Sequence, residues 1–416
     1  MLSSFQRAKY ALKAEYFALN DPPRSALEQL LVTLCLTAGN NTEQTGQVSI
    51  ILFINGGIMS KLGNVKTWGQ SIWLDNLSRT LIQEGDLAKL VAEDGISGVT
   101  SNPAIFRKAL AESPYYQADM SRLKNELSDA EARYEALVIP DIQAACDLLM
   151  PTWQATQGND GYVSLEVSPA LANDTEGTVL AARRLHARVN KPNVLIKIPA
   201  TAAGIIAFEQ VISEGISVNI TLLFSLRQTD AAFAAYVHGL QQLMAQGGKG
   251  DKVKAVASLF LSRIDSHVDP RLAKLESKAA SALQGHAALA VAKLAYQHYK
   301  TLFHGEEFAE LANAGCRPQY LLWASTGTKN SAYSDVQYLD NLIGPETINT
   351  VPDATLNAFR DHGHVASTVD QHLEVAHSDY QAIESLGIDL NQVGETLQQE
   401  GLVLFDEAYR QMVASC

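Results

Sequence analysis

Cysteine is scarce in this chain: four in 416 residues, at Cys35, Cys146, Cys316 and Cys416, with no CxxC pair. So spread, they exclude a disulfide framework and a thiolate zinc site, and a reducing cytoplasm is the expected compartment. Positive charge is also in deficit. Lys and Arg total 32 against 45 Asp and Glu, a formal net charge of −13. That balance excludes the basic footprint of a nucleic-acid binder and the polybasic patch of a membrane-surface protein. It leaves room for a small cationic pocket. Long apolar runs are missing as well: residues 30–36 and 50–54 are the longest candidates, well short of the roughly 18 residues a membrane helix needs. Residues 24–39 make a poor signal peptide, with one Arg and with Glu28 just before a brief apolar stretch. No GxGxxG follows an apolar run, and Gly247-Gly248-Lys249-Gly250 lacks P-loop spacing, so it reads as a helix-ending turn.

Hydrophobic residues make up 47% of the chain, enough for a large core. A chain this long suggests two or three domains, or a single α/β barrel with insertions. The first 58 residues hold polar clusters and no sustained period. They are expected to be a poorly ordered extension, or the product of a start codon assigned too early, with Met59 opening the natural chain. From Trp68 onward, strand-like runs at 72–75, 96–100, 162–167, 194–198, 216–221, 255–260, 320–325 and 347–351 alternate with helical patterns. The helical stretches run over 77–92, 130–150, 178–189, 204–214, 226–246, 279–303 and 336–343. Such alternation predicts a parallel sheet. Eight strands predict a single (β/α)8 TIM-type barrel over residues 59–416, with helical insertions and a C-terminal helical segment. An open doubly wound sheet is the competing architecture.

Strands covered on both faces usually read as continuous apolar runs. Three strands here depart from that with period 2. Lys197 shares a face with Leu195; Tyr162, Ser164 and Glu166 share another; Ser217, Asn219 and Thr221 a third. Each opposite face is aliphatic. The polar faces converge on the end of a barrel where active sites lie. Burial favours the free amine of a lysine, so Lys197 is a Schiff-base candidate, with Glu166 as a proton-transfer group acting through a water held by Thr221. The bland alternative is a Lys197 paired with Glu166 or Asp75. Asp75 is a second acid/base candidate, unless it caps a helix beginning near Leu77.

Seven motifs, IWLDNLSR, GVTSNPAIF, YVSLEVSP, VLIKIPAT, SVNITLLFS, SLFLSRID and LWASTGTKN, follow in order from about Gln70. Together with a closing segment near LGIDLNQVGETLQQEGLVLF, they resemble the transaldolase family. The resemblance implies a class I aldolase-type barrel with its imine-forming lysine on the fourth strand, where the strand count also puts Lys197. It implies transfer of a dihydroxyacetone unit from sedoheptulose 7-phosphate to glyceraldehyde 3-phosphate, yielding erythrose 4-phosphate and fructose 6-phosphate. The setting would be the non-oxidative pentose phosphate pathway, with no metal and no organic cofactor. Carried over by motif, Lys197 forms the imine, Asp75 takes the C4 hydroxyl proton, and Glu166 and Thr221 manage the water. Asn102 and Asn219 would hold dihydroxyacetone hydroxyls, Ser258 the terminal one, and Phe260 would shape the wall. Arg263 matches the family's phosphate arginine, its bland reading being a pair with Asp265 or Asp269.

One position departs from that pattern. Transaldolases of the best-known type carry an arginine after the seventh strand, where this chain has Lys329, a point charge in place of a bidentate fork. Ser325 and Thr326 are possible minor contacts and Trp323 reads as packing. His362 and His364 lack the companion ligands of a metal site, and the aromatic residues of 296–303 read as core. The nearest alternative function is a lyase that releases free dihydroxyacetone. A non-catalytic sugar-phosphate-binding barrel is a third reading, disfavoured by the intact Asp75, Glu166 and Lys197 set.

Overall fold

A computed structural model of the chain describes residues 60–416, and the expectation for residues 1–58 lies outside the described residues. Eight parallel strands close into one barrel in chain order: β1 Gln70–Leu74, β2 Gly98–Val99, β3 Val163–Glu166, β4 Val194–Pro199, β5 Val218–Leu223, β6 Ala255–Phe260, β7 Tyr320–Ala324 and β8 Thr347–Val351. All eight expected strands are present, and the open-sheet alternative falls with the β1–β8 pairing that closes the ring. The helices that bear on the site are α1 Pro103–Glu112, α2 Ala130–Ala155, α3 Ser262–Ala273, α4 Ala287–Phe303 and α5 Leu390–Ser415. No helix of the described residues is long and apolar enough to cross a membrane.

Register explains why polar groups meet inside. Glu166 pairs with Lys197 and Lys197 with Asn219 across β3, β4 and β5. Paired residues of parallel strands point to the same side, so these three lie in one layer. Their neighbours Leu165, Ile196, Ile198, Val218 and Ile220 face the outer helices and are buried. Below that layer, Trp73 is fully buried and donates from its indole Nε1 to Asp160 Oδ1 at 2.9 Å. Its ring sits so close to Gly98 that a Cβ there would lie 2.4 Å from it, so only glycine fits in the short β2.

Several expected helices divide or move. The pattern over 77–92 is two helices, Arg79–Gln83 and Asp86–Asp94, parted at Gly85 with φ +82°. Gly285, at φ +79°, likewise cuts 279–303 so that α4 begins only at Ala287. Residues 336–343 contain only the single turn Gln337–Asp340. Glycine supplies left-handed backbone that a continuous helix cannot use. Unforeseen helices are Lys61–Val65, α1, Gln117–Glu126, α3, Glu306–Asn313, Asp353–His362 and Leu373–Ser385. The aromatic residues Tyr296, Tyr299 and Phe303 are core, packed with Phe233, Tyr236 and Phe308.

Candidate active site

A cavity of about 520 Å³ opens at the C-terminal ends of the strands, the face on which barrel enzymes hold their active sites. Asp75, Asn102, Lys197, Ser258, Phe260, Arg263, Ser325 and Lys329 all line it. Eight of the eleven residues singled out from sequence therefore meet in one hollow. Glu166, Thr221 and Asn219 are not among its lining residues.

Lys197 is 4% exposed, and its Nζ donates to the Ser101 carbonyl at 3.2 Å. No carboxylate oxygen of the described residues lies within 4.0 Å of it, so the ion-paired reading does not hold. Phe405 of α5 lies 5.8 Å from the amine. Asp75 does not cap a helix; Ser78 does, accepting from the Leu81 amide. Instead, Thr100 Oγ1 donates to Asp75 Oδ1 at 2.8 Å, and Thr100 lies 2.6 Å from Thr350 Oγ1. With its one proton directed at Asp75, Thr100 takes the proton of Thr350, so a hydroxyl chain feeds the carboxylate. Burial raises the Asp75 pKa, while Lys197 and the Thr100 hydrogen bond pull it back.

Both carboxylate oxygens of Glu166 are buried with no hydrogen-bond partner, and so is Thr221 Oγ1. Burial pushes the Glu166 pKa up to about 7; Lys197 lowers it and Asp75 raises it. Glu166 lines a void of about 20 Å³ shared with Tyr134 of α2, Ser168 and Tyr409 of α5, room enough for about one water. A carboxyl titrating near neutrality is suited to passing protons in both directions.

Asn219 is held from both ends of its amide. It accepts from Ser258 Oγ at 2.7 Å and donates to Ser164 Oγ at 3.1 Å, which fixes Ser258 at the cavity floor. Asn219, expected from sequence at a substrate hydroxyl, orients the serine that lines the cavity and keeps a second Nδ2 proton uncommitted among the described residues. Asn102 caps α1, its Oδ1 accepting from the Ile105 amide at 3.0 Å. That bond orients the amide and leaves its NH2 for the cavity. Thr326 is turned away to the Thr350 carbonyl, and Trp323 is core, donating to the Leu342 carbonyl. Ser325 holds φ +52° and Leu222 φ +61°, two non-glycine residues in the left-handed region beside the site, where strain of this kind concentrates.

Arg263 sits on α3 beside the Phe260 ring, 5.8 Å from its centroid. Burial works against its charge and Glu400 supports it. Its expected partners are taken elsewhere: Asp265 by Tyr338 and the Ala288 amide, Asp269 by Tyr333 and the Gly285 amide. Lys329 is exposed at the mouth. Neither cation has a carboxylate within 4.0 Å among the described residues, so both are free to face an anion. Sequence reading missed Thr100 and Thr350, Arg107 on α1, and Leu404, Phe405, Glu407 and Gln411 on α5, all cavity-lining. Thr100 stood inside a quoted motif, and Leu404 and Phe405 close the quoted C-terminal segment; Glu407 and Gln411 carried no signal, because only docking of the last helix brings them here.

Residues 72–416 match the family described as transaldolase/fructose-6-phosphate aldolase. The chain is similar to the transaldolase of Thiobacillus denitrificans, 53% identical over 351 residues, 84% of this chain and 98% of the relative. It is 47% identical to the transaldolase of Neisseria gonorrhoeae over 356 residues, 86% of this chain and 99% of that one. Transaldolase 2 of a Nostoc species is 44% identical over 372 residues, 86% and 97% of the two chains.

Proposed function

The chain belongs to the transaldolase/fructose-6-phosphate aldolase family, and on that premise we propose that it moves a dihydroxyacetone unit between sugar phosphates through an imine on Lys197. The donor is sedoheptulose 7-phosphate and the acceptor glyceraldehyde 3-phosphate, giving erythrose 4-phosphate and fructose 6-phosphate within the non-oxidative pentose phosphate pathway of the cytoplasm. The observation that carries this reading is a buried lysine amine in a cavity that also presents Asp75 and two uncommitted cations.

The Lys197 amine attacks the C2 carbonyl of the ketose, and the carbinolamine loses water to form an iminium ion. Glu166 supplies and removes the protons of that step through a water shared with Thr221. Asp75 then takes the C4 hydroxyl proton. The C3–C4 bond breaks, its electron pair enters the iminium as an enamine, and the aldose phosphate leaves. Attack of the enamine carbon on the acceptor aldehyde, with Asp75 returning its proton, reverses these events; water then frees Lys197. Asn102 and Ser258 hold hydroxyls of the three-carbon unit, and Arg263, Ser325 and Lys329 take the phosphate. Neither metal nor organic cofactor enters the sequence of steps.

Borohydride reduction in the presence of fructose 6-phosphate is expected to add a three-carbon unit to the peptide bearing Lys197, read by mass mapping. An unmodified Lys197 would overturn the mechanism. Release of free dihydroxyacetone without an acceptor aldehyde, in a coupled assay, would move the reading to the lyase.

A further inference from the structure

Arg107 stands on the second turn of α1, and no motif or residue type in the sequence points to it. Asn102, Ala104 and Arg107 all line the cavity, so one face of this helix looks into the hollow. Ala104, one turn before Arg107 on that face, is small and leaves the space in front of the guanidinium open. The next residue, Lys108, behaves as an ordinary surface lysine and lies 3.9 Å from Glu112 one turn on. Arg107 does not: in a chain of net charge −13, it has no carboxylate within 4.0 Å among the described residues.

Its one side-chain hydrogen bond among the described residues is to a neutral group. Nη1 donates to Gln411 Oε1 of α5 at 2.9 Å. The Gln411 amide is oriented in turn, its Nε2 donating to Glu407 Oε1 at 3.3 Å, so the carbonyl end must face the arginine. A guanidinium carries five donors, and this contact uses one. The arrangement therefore aims a charged fork at the mouth without neutralising it. Arg107 follows β2 while Arg263 follows β6, four strands apart in a ring of eight, so the two cations face each other across the opening.

We propose that Arg107 is a specificity-determining residue of this site, which draws in and orients the phosphate of sugar phosphates at the rim, with Gln411 as the group that positions it. The inference rests on the sugar-phosphate reading above and adds to it a residue outside the quoted motifs. A rim cation raises the local concentration of anionic substrate and holds it for transfer inward. Its contribution is to binding, not to bond breaking.

Steady-state kinetics of the full chain test this with fructose 6-phosphate as donor and either glyceraldehyde 3-phosphate or unphosphorylated glyceraldehyde as acceptor. Arg107→Ala is expected to raise KM for the phosphorylated acceptor about tenfold, with kcat within about twofold, a loss in the range of one charge-assisted contact at a wet rim. KM for glyceraldehyde should stay within about twofold. Arg107→Lys should recover part of the loss, and Gln411→Ala should show a smaller rise of the same kind. High salt should narrow the gap between wild type and Arg107→Ala. Equal losses for both acceptors would mean a structural role, and unchanged KM values would mean none; either overturns the proposal. Borohydride trapping at Lys197 in the same variant keeps that outcome apart from failure of the imine mechanism.

Discussion

A carboxylate with both oxygens buried and unbonded, as in Glu166, costs free energy in its charged form. Its pKa of about 7 lies above the ordinary range, so between about pH 4.5 and 7 the folded chain keeps a proton the unfolded chain has lost. Fewer protons on the unfolded state means that stability falls as pH rises through that window and levels off above it. Glu166→Gln should flatten that slope and raise stability at pH 8 by on the order of 2 kcal/mol, measured by denaturant unfolding at pH 5 and pH 8. The same substitution should lower kcat at least ~100-fold and abolish the limb of the pH–rate profile near 7. A variant with the wild-type slope would place the raised pKa on another group. Glu166 was legible in sequence because a charge at period 2 in a buried strand contradicts its own environment. Arg107 was not: an arginine on a helix near an acidic neighbour is what every surface presents.

The last helix shows what a pattern can and cannot tell at the scale of an element. Its amphipathic sequence announces a helix; its place across the barrel mouth comes from single contacts far apart in the chain. Gln398, on α5, donates from Nε2 to the Ala200 carbonyl at 2.8 Å and the Leu222 carbonyl at 3.1 Å, tying the helix to the ends of β4 and β5. Three residues on, a Cβ at Gly401 would lie 3.1 Å from the Leu222 side chain and 3.7 Å from Arg263 Nη1, so the glycine lets α5 lie close over β5 without displacing Leu222. Phe405 then reaches Lys197, and Tyr409 donates to Glu131 at 2.8 Å. Gln398→Ala leaves two buried carbonyls without their donor, costing about 2 kcal/mol. The expected result is a lower melting temperature together with a raised KM for fructose 6-phosphate, because Phe405 and Gln411 shift with the helix. A fall in melting temperature with unchanged KM would show that the roof is set by its other contacts. Conversely, the helices that the sequence misplaced, over 77–92 and 279–303, fail at Gly85 and Gly285, where apolar periodicity continues through a backbone reversal.

At the scale of the whole molecule, the barrel separates two buried lysines to opposite ends. Lys197 lies toward the C-terminal end of β4 and lines the cavity, while Lys254 immediately precedes β6 at the N-terminal end, fully buried. There Lys254 Nζ donates to Asn159 Oδ1 at 2.9 Å and lies over the Tyr320 ring, 3.2 Å from its centroid. Burial pushes its pKa down to about 7, against the pull of Asp160. Residues at that end of a barrel serve stability and not chemistry. Between about pH 7 and 10.5 the unfolded chain therefore holds a proton the folded chain has given up, and stability rises with pH across that range. Lys254→Met removes the titrating group while keeping an apolar stem of similar length. It should raise stability at pH 7 by on the order of 2 kcal/mol, less the lost Asn159 contact, with the gain shrinking toward pH 10. Because the substitution lies at the far end from Lys197, kcat and KM for both acceptors should remain at wild-type values. Thermal melts at pH 7 and pH 10, read beside steady-state kinetics, decide the matter. A gain that persists at pH 10 would trace to packing, and an altered KM would show that the two ends of the barrel are coupled.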